Sequence, residues 1–328
     1  MKPELLKIGP VSFLSFLIFS IITGIILLII NRIFKKTKPQ LVKDIFSFGI
    51  FLIIIVFILM ITRLSLPIRT YGVMVATGFL TATIVASILA PKRGLPKELF
   101  SDLAIVLLIS GIIGSRVFYV IFYNWNYYME HPLEILFIWH GGQVLYGGVI
   151  FGAIAAILWL KKKKVSILDT LDLVMIGLLI GIGFGRLGCL SAGCCYGQPY
   201  EGFCALHFPP GSIAFDELLS KGLISKDSLL TPGLWPSQLF ASLFAFLSSA
   251  VLLLIEKPLR KNPGVILSIG LILYSSGRFF EETHRVNPKI LLFSSAQWIS
   301  IFLFITGITL LIIIFTKKIN ISKTGGKK

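Results

Sequence analysis

Apolar residues run along this chain in blocks of about 18 or more with almost no charge, separated by short polar stretches. Such blocks are longer than the buried face of a soluble core helix and match the roughly 20 residues that cross a bilayer. Nine are predicted, at about 11–34, 44–62, 70–90, 100–122, 143–160, 169–190, 236–255, 264–282 and 296–316. They lack two-residue alternation and are too long for barrel strands, so helices are expected. The predicted fold class is an all-α polytopic membrane protein. The first two spans hold no charge in their membrane interior, with Arg32 and Asp44 at their ends, whereas polar residues and glycine pairs recur near helix ends from Pro67 onward. That change divides the chain into a two-helix N-terminal membrane extension (1–66), a seven-helix core (67–316) and a basic tail (317–328).

Charge adds an orientation. Of the 31 Lys and Arg, 20 fall in one alternating set of loops: 31–43, 91–98, 161–164, 256–262 and the tail after 316. The opposite set, N-terminus included, holds eight, and Arg116, Arg186 and Arg278 lie within spans. This positive-inside bias puts the basic loops and the C-terminus in the cytoplasm and the N-terminus outside. It also accounts for the formal net charge of +16. The expected partner of that charge is anionic membrane lipid, with no nucleic acid. The first apolar run is too long for a secretory leader, and the basic cluster follows it rather than precedes it. On the outer side, the loop 197–235 contains an amphipathic piece, SIAFDELLSKGLISKDSLL, expected to form a short surface helix. The segment 124–142 is rich in Trp and Tyr and is expected at the headgroup level.

Charges inside a bilayer are costly and point to function. All three intramembrane arginines fall toward the outer halves of their spans. A guanidinium fork suits phosphate, so their convergence would make a lipid-headgroup site. The alternative is that each snorkels or pairs with a carboxylate. Tyr274, Arg278, Glu282 and Arg285 follow at spacings of four, four and three and share one helical face. Glu282 would hold Arg278, either as a satisfied buried pair or as the brace of a phosphate clamp. Arg116, Tyr119 and Tyr123 form a similar stripe. In HGGQVLYGG, from His140 to Gly148, the pairs Gly141–Gly142 and Gly147–Gly148 frame a turn. They allow backbone N–H groups to approach an anion, or helices to pack closely. Cys189, Cys194, Cys195 and Cys204 lie within sixteen positions on the outer side, where a disulfide is open to them. A zinc set of Cys194, Cys195, Cys204 and His207 matches no standard spacing, and no metal or cofactor is expected.

Five blocks in order resemble the prolipoprotein diacylglyceryl transferase family, over about residues 66–316. They are LPIRTYGVMVATGFL with Tyr71, GSRVFYVIFYNWNYYMEHPLEILFIWHGGQVLYGG with Arg116 and the paired glycines, GRLGCLSAGCCYG with Arg186 and Gly197, PSQLF, and YSSGRFFEETHR with Arg278 and Glu282. The resemblance implies an enzyme of the bacterial cytoplasmic (inner) membrane. Its substrates would be phosphatidylglycerol and a prolipoprotein signal peptide carrying a lipobox cysteine, and its products a thioether and glycerol phosphate. It implies that Arg186 and Arg278 are the catalytic cations and that Glu282 orients Arg278. Tyr71, Arg116, Gly141, Gly142, Gly147, Gly148 and Gly197 would shape the headgroup site.

The chain departs from the family pattern at Cys189, where Asn is usual, at Cys194 and Ala241, where Glu is usual, and at Tyr146 and Trp235, where His is common. A phenol with a pKa of about 10 is a poor base. Tyr146 and the nearby His140 are therefore both candidates for taking the acceptor proton, unless the arginine field itself favours the thiolate. Two other readings come from different classes. The lost polar side chains suit a non-catalytic phospholipid-binding paralogue, and glycine-broken helices with arginines suit a transporter of a small anion or lipid.

Overall fold

The computed structural model describes residues 4–8, 66–138, 141–285 and 287–325. The chain forms two compact units, Met1–Val73 and Met74–Lys328. In the first, strand β1 (Glu4–Ile8) pairs antiparallel with β2 (Leu66–Arg69), with Glu4 opposite Arg69 and Ile8 opposite Leu66. The apolar pattern did not predict this ribbon. The spans expected at 11–34 and 44–62 lie outside the described residues.

The second unit is helical. Helix α1 (Thr70–Leu89) begins in the first unit and continues into the second. It is followed by α2 (Leu99–Tyr123), α3 (Trp125–Glu130), α4 (Leu145–Lys163), α5 (Ile167–Ala192), α6 (Ile213–Ser220), α7 (Ser237–Leu259) and α8 (Val265–Thr283). A two-residue ribbon, β3 (Lys289–Ile290) with β4 (Phe293–Ser294), precedes α9 (Ser295–Gly325). Among the described residues six helical stretches are long and apolar enough to cross a membrane: Thr70–Arg93, Leu99–Tyr123, Leu145–Lys163, Ile167–Ala192, Ser237–Leu259 and Ser295–Thr316. The protein is therefore all-α and multi-pass. Helix α8 covers the span expected at 264–282 but is not one of the six, because Arg278, Glu281 and Glu282 crowd its last turns.

Local signals set the helix ends. Ser166 caps α5: its hydroxyl accepts from the Asp169 N–H at 3.4 Å and donates to the Asp169 carboxylate at 2.6 Å. Gly193, at φ +68°, ends the same helix, and the Gly193 N–H donates back to the last turn. Ser294 and Gln297 form a reciprocal capping box at the start of α9, with bonds of 3.0 and 3.3 Å.

Helix α5 is the centre of the packing. Its Leu173, Ile176 and Leu179 are fully buried with Leu252 of α7 and Ile266 of α8, while α9 packs on α8. Helices α2 and α4 form a second close pair. They cross where Gly114 meets Gly147, and a Cβ at either position would collide with the facing backbone and with Phe151 or Phe118. Much of the remaining Leu, Ile and Phe surface faces outward, as lipid contact requires.

At the N-terminal end of α5, the Arg93 side chain is fully buried between three carboxylates: Asp172 at 2.7 Å, Glu256 at 3.0 Å and Asp169 at 3.2 Å. Asp172 also accepts the backbone N–H groups of Gly264 and Leu267, which starts α8 at a fixed height on α5. Toward the other end, the loop 197–235 folds over α5. It contains α6 inside the predicted amphipathic piece, and its Phe208, Ala214, Leu218 and Leu234 form a small core with Leu190 of α5. The segment after α2 carries α3 and a 3-10 turn (Pro132–Leu136), with Trp125, Leu133 and Leu136 exposed.

Candidate active site

Three arginines meet around one carboxylate that the sequence pattern had not singled out. Glu281, in the last turns of α8, receives a two-pronged contact from Arg186 of α5, Nη1 to Oε1 and Nη2 to Oε2 at 3.2 Å each. Arg278, one turn back on α8, lies 3.3 Å from the same carboxylate and 2.7 Å from Glu282. Arg285 approaches Glu281 at 3.8 Å. Glu282 accepts from Asn287 at 2.6 Å and from the Ser294 hydroxyl at 2.9 Å, so the brace on Arg278 is itself held by the turn leading into α9.

The electrostatics follow from the count. Three guanidinium groups face two carboxylates, which leaves one positive charge uncompensated among these side chains. Nε of Arg285 is buried and has no hydrogen-bond acceptor among the described residues. Glu281 Oε1 and Glu282 Oε2 also lack a hydrogen-bond donor among the described residues, and Glu217 shares the Arg285 side, so the pull on a monoanion comes from the excess of guanidinium over carboxylate on the side where Arg186 and Arg278 meet Glu281.

That cluster forms part of the wall of a cavity of about 530 Å³ between α5, α7 and α8. Its polar lining includes Arg186, Tyr274, Arg278, Glu281 and His284; the rest is mainly apolar, with Leu243, Phe244 and Leu247 of α7. The slot is ionic in one part and greasy elsewhere, as the headgroup end of a phospholipid and the start of its chains require. Trp235 stacks on His284 with ring centroids 4.5 Å apart and fixes that imidazole against the cavity. Gly197 sits where any Cβ would strike the His284 carbonyl, Trp235 and Ser237, so the loop can close on the end of α8 only through glycine at this position. A second cavity, about 310 Å³, lies under the external loop and is lined by Cys195, Gly197, Glu217, Arg285 and Asn287. Beside it, burial and a hydrogen bond to Glu217 push the Tyr196 phenol up to about 12, while Lys221 and Tyr196 hold the Glu217 carboxyl below its usual range.

The other predicted site residues are elsewhere. Arg116 is buried but does not line the cavity. Its guanidinium donates to five carbonyls of one segment: Glu134 and Gly141 at 2.6 Å, Ile135 at 2.9 Å, Gly142 at 3.2 Å and Phe137 at 3.4 Å. It also stacks over Tyr128, 5.1 Å from the ring centre. Gly141 and Gly142, at φ +86° and +72°, thus present carbonyls to a cation. Gly147 and Gly148 pack α4 on α2. Tyr146 is exposed in the first turn of α4, and Tyr71 lies in the first turn of α1, within the first unit. His140 lies outside the described residues. We expect Arg116→Ala to release the segment 134–142, since each charge-assisted bond contributes about 1.5–3 kcal/mol. Limited chymotrypsin digestion in detergent should then cut between 123 and 142 far sooner than in the wild type, and unchanged cleavage would contradict this role.

Glu281, His284 and Trp235 were not assigned a role from the sequence. The signal for Glu281 was present: a second glutamate three residues after Arg278, in a helix too apolar to tolerate an idle charge.

Comparison with known proteins gives a consistent outcome. A family model described as prolipoprotein diacylglyceryl transferase matches residues 58–313. The chain is 36% identical over 268 residues to phosphatidylglycerol–prolipoprotein diacylglyceryl transferase 2 of Clostridium perfringens, covering 80% of this chain and 94% of that protein. It is 36% identical over 249 residues to the transferase of Clostridium tetani, with 74% and 92% covered. With the Staphylococcus xylosus enzyme it shares 31% identity over 252 residues, covering 76% and 86%.

Proposed function

We propose that this chain, which belongs to the prolipoprotein diacylglyceryl transferase family, moves the diacylglyceryl group of phosphatidylglycerol to a prolipoprotein cysteine in lipoprotein biosynthesis. The observation that carries this reading is the meeting of Arg186 and Arg278, from two different helices, at Glu281 on the wall of a mainly apolar cavity. Phosphatidylglycerol has one negative charge and two acyl chains; the cluster has one surplus positive charge and the cavity a largely apolar lining.

In this reaction the lipobox thiolate attacks the glyceryl carbon, a C–S bond forms, the C–O bond to phosphorus breaks, and glycerol phosphate leaves with the electron pair. Negative charge grows on the departing phosphate. Arg186 and Arg278 are the groups we assign to meet it, fixed in advance by Glu281 and Glu282 in a site of low dielectric. A free thiol has a pKa of about 8.5, so the surplus positive charge has only a modest shift to supply for the acceptor to ionise. We place the protein in the bacterial inner membrane, with this cluster toward the outer face and the Arg93 cluster toward the cytoplasm, on the strength of the loop charge bias.

The test is to incubate purified protein with headgroup-labelled and acyl-labelled phosphatidylglycerol and a lipobox peptide. Transfer of the acyl label to the peptide, with release of labelled glycerol phosphate, is the expected result. Lipid bound without product would support a paralogue that only binds. Vesicle uptake without product would support a transporter.

A further inference from the structure

The external end of α5 brings three thiols together. Cys189 lies in its last turn; Gly193 reverses the chain, and the Cys194 N–H donates back to the Cys189 carbonyl at 3.0 Å. In an extended chain neighbouring side chains point to opposite sides, which would part Cys194 from Cys195. Cys195 instead adopts φ +60°, a conformation L-residues rarely take, and the Cys194 carbonyl is pinned by Gln238 Nε2 at 2.7 Å. As a result the sulfurs of Cys189, Cys194 and Cys195 lie within 4.8 Å of one another, all unbridged and half-buried. Among the described residues this is the one such group of potential metal ligands. Cys204 is exposed and His207 bonds the Thr231 carbonyl, so neither belongs to it.

Three sulfurs around a zinc ion at about 2.3 Å would sit roughly 3.8 Å apart, inside the 4.8 Å within which these three already lie. Three thiolates and a divalent ion carry one net negative charge. Arg285 lines the 310 Å³ cavity together with Cys195 and is a cation on that side of the trio. Thiolate ligands select zinc and similar thiophilic ions over magnesium or calcium. Three protein ligands also leave a fourth position vacant, the pattern of zinc sites that take an exogenous group. Cys195 borders the 310 Å³ cavity beneath the external loop, which gives that group a route in.

We propose that Cys189, Cys194 and Cys195 form a three-thiolate site for a thiophilic divalent ion of the zinc class, whose fourth position takes the acceptor cysteine as its thiolate. Metal binding stands on the thiol geometry alone; the fourth ligand rests on the transferase reading. A thiol that coordinates zinc loses its proton outright. The proton passes to solvent, the sulfur attacks the glyceryl carbon, and glycerol phosphate leaves as before. The thioether, a weaker ligand than the thiolate, then dissociates, and the ion stays.

The experiment uses the full chain in detergent, purified with reductant and stripped by chelator. Zinc should bind at about one equivalent, and X-ray absorption should show three sulfur ligands at about 2.3 Å, rising to four when a lipobox cysteine peptide is added but not its serine analogue. Cys189→Ser, Cys194→Ser and Cys195→Ser should each weaken binding by more than about tenfold, since even outer-shell changes at metal sites cost that much. Cys204→Ser should bind as the wild type does. The wild-type ligand count keeps the test decisive if a variant fails to fold. Absence of uptake, a disulfide within the trio in the reduced preparation, or uptake unaffected by Cys189→Ser would overturn the site, whatever the transfer activity. Full transfer by stripped protein would overturn the role of the fourth ligand and leave the transferase reading standing. Three-sulfur binding in a protein that transfers nothing would overturn the transferase reading and keep the metal site.

Discussion

Arg186→Ala is expected to cut the rate of thioether formation by about 10²–10³ or more, the usual cost of removing one preorganised partner of a developing anion. The loss should appear in kcat more than in lipid binding, because the greasy lining of the cavity is untouched and the phosphate gains its extra charge only as the C–O bond breaks. The protein should still fold. Glu281 loses its two-pronged contact but keeps Arg278 at 3.3 Å and Arg285 at 3.8 Å. Arg278→Ala should produce a loss of the same order, since Glu282 retains Asn287 and Ser294 as partners. Arg186→Lys separates charge from geometry: an ammonium restores the charge but not the fork, so partial recovery is expected. Initial rates with labelled phosphatidylglycerol and a lipobox peptide measure all of these. Wild-type turnover in Arg186→Ala would remove the arginine cluster from the mechanism.

What the sequence disclosed depended on whether a residue stood out from its neighbours. Arg186 and Arg278 did, because a charge in an apolar run has few innocent explanations. The helices did, because bilayer thickness sets their length. Arg116 stood out for the same reason as the other two, yet its donors are taken up by the carbonyls of 134–142. Spacing reveals that a buried charge must have partners but not which ones. Glu281 was hidden by its neighbour: a four-residue stripe selects Glu282, whereas the three-residue step reaches the carboxylate that Arg186 finds from another helix. The thiols were visible as a cluster in the sequence, but their convergence depends on one left-handed residue, Cys195, that no propensity favours. The ribbon joining Glu4–Ile8 to Leu66–Arg69 was invisible because its strands lie nearly sixty residues apart in chain order.

Arg93 is the most instructive miss, and it carries the largest expected effect on stability. It sits in a basic loop, where the charge bias counts it as one more solvated cation. In the fold its side chain is fully buried between Asp169, Asp172 and Glu256, which are contributed by the start of α5 and the end of α7. Asp172 in turn fixes the first N–H groups of α8, so one guanidinium neutralises the carboxylates on which α5, α7 and α8 are aligned. Arg93→Ala would leave Asp172 and Glu256 buried without that compensation. Glu256 would keep Arg260 at 2.7 Å, but Asp172 would have only backbone donors. Breaking a buried pair by removing one partner costs about 3–5 kcal/mol. A shift of that size should lower the midpoint of thermal unfolding in detergent sharply. It should also reduce transfer activity indirectly, since α5 and α8 carry Arg186 and Arg278 at their other ends. Adding Asp172→Asn to Arg93→Ala should recover part of the loss, because it removes the stranded charge, but only part, since a single amide oxygen can serve one of the two α8 N–H groups that Asp172 holds on separate oxygens. An Arg93→Ala protein as heat-stable as the wild type would mean that the buried ion cluster does not hold the three helices in register.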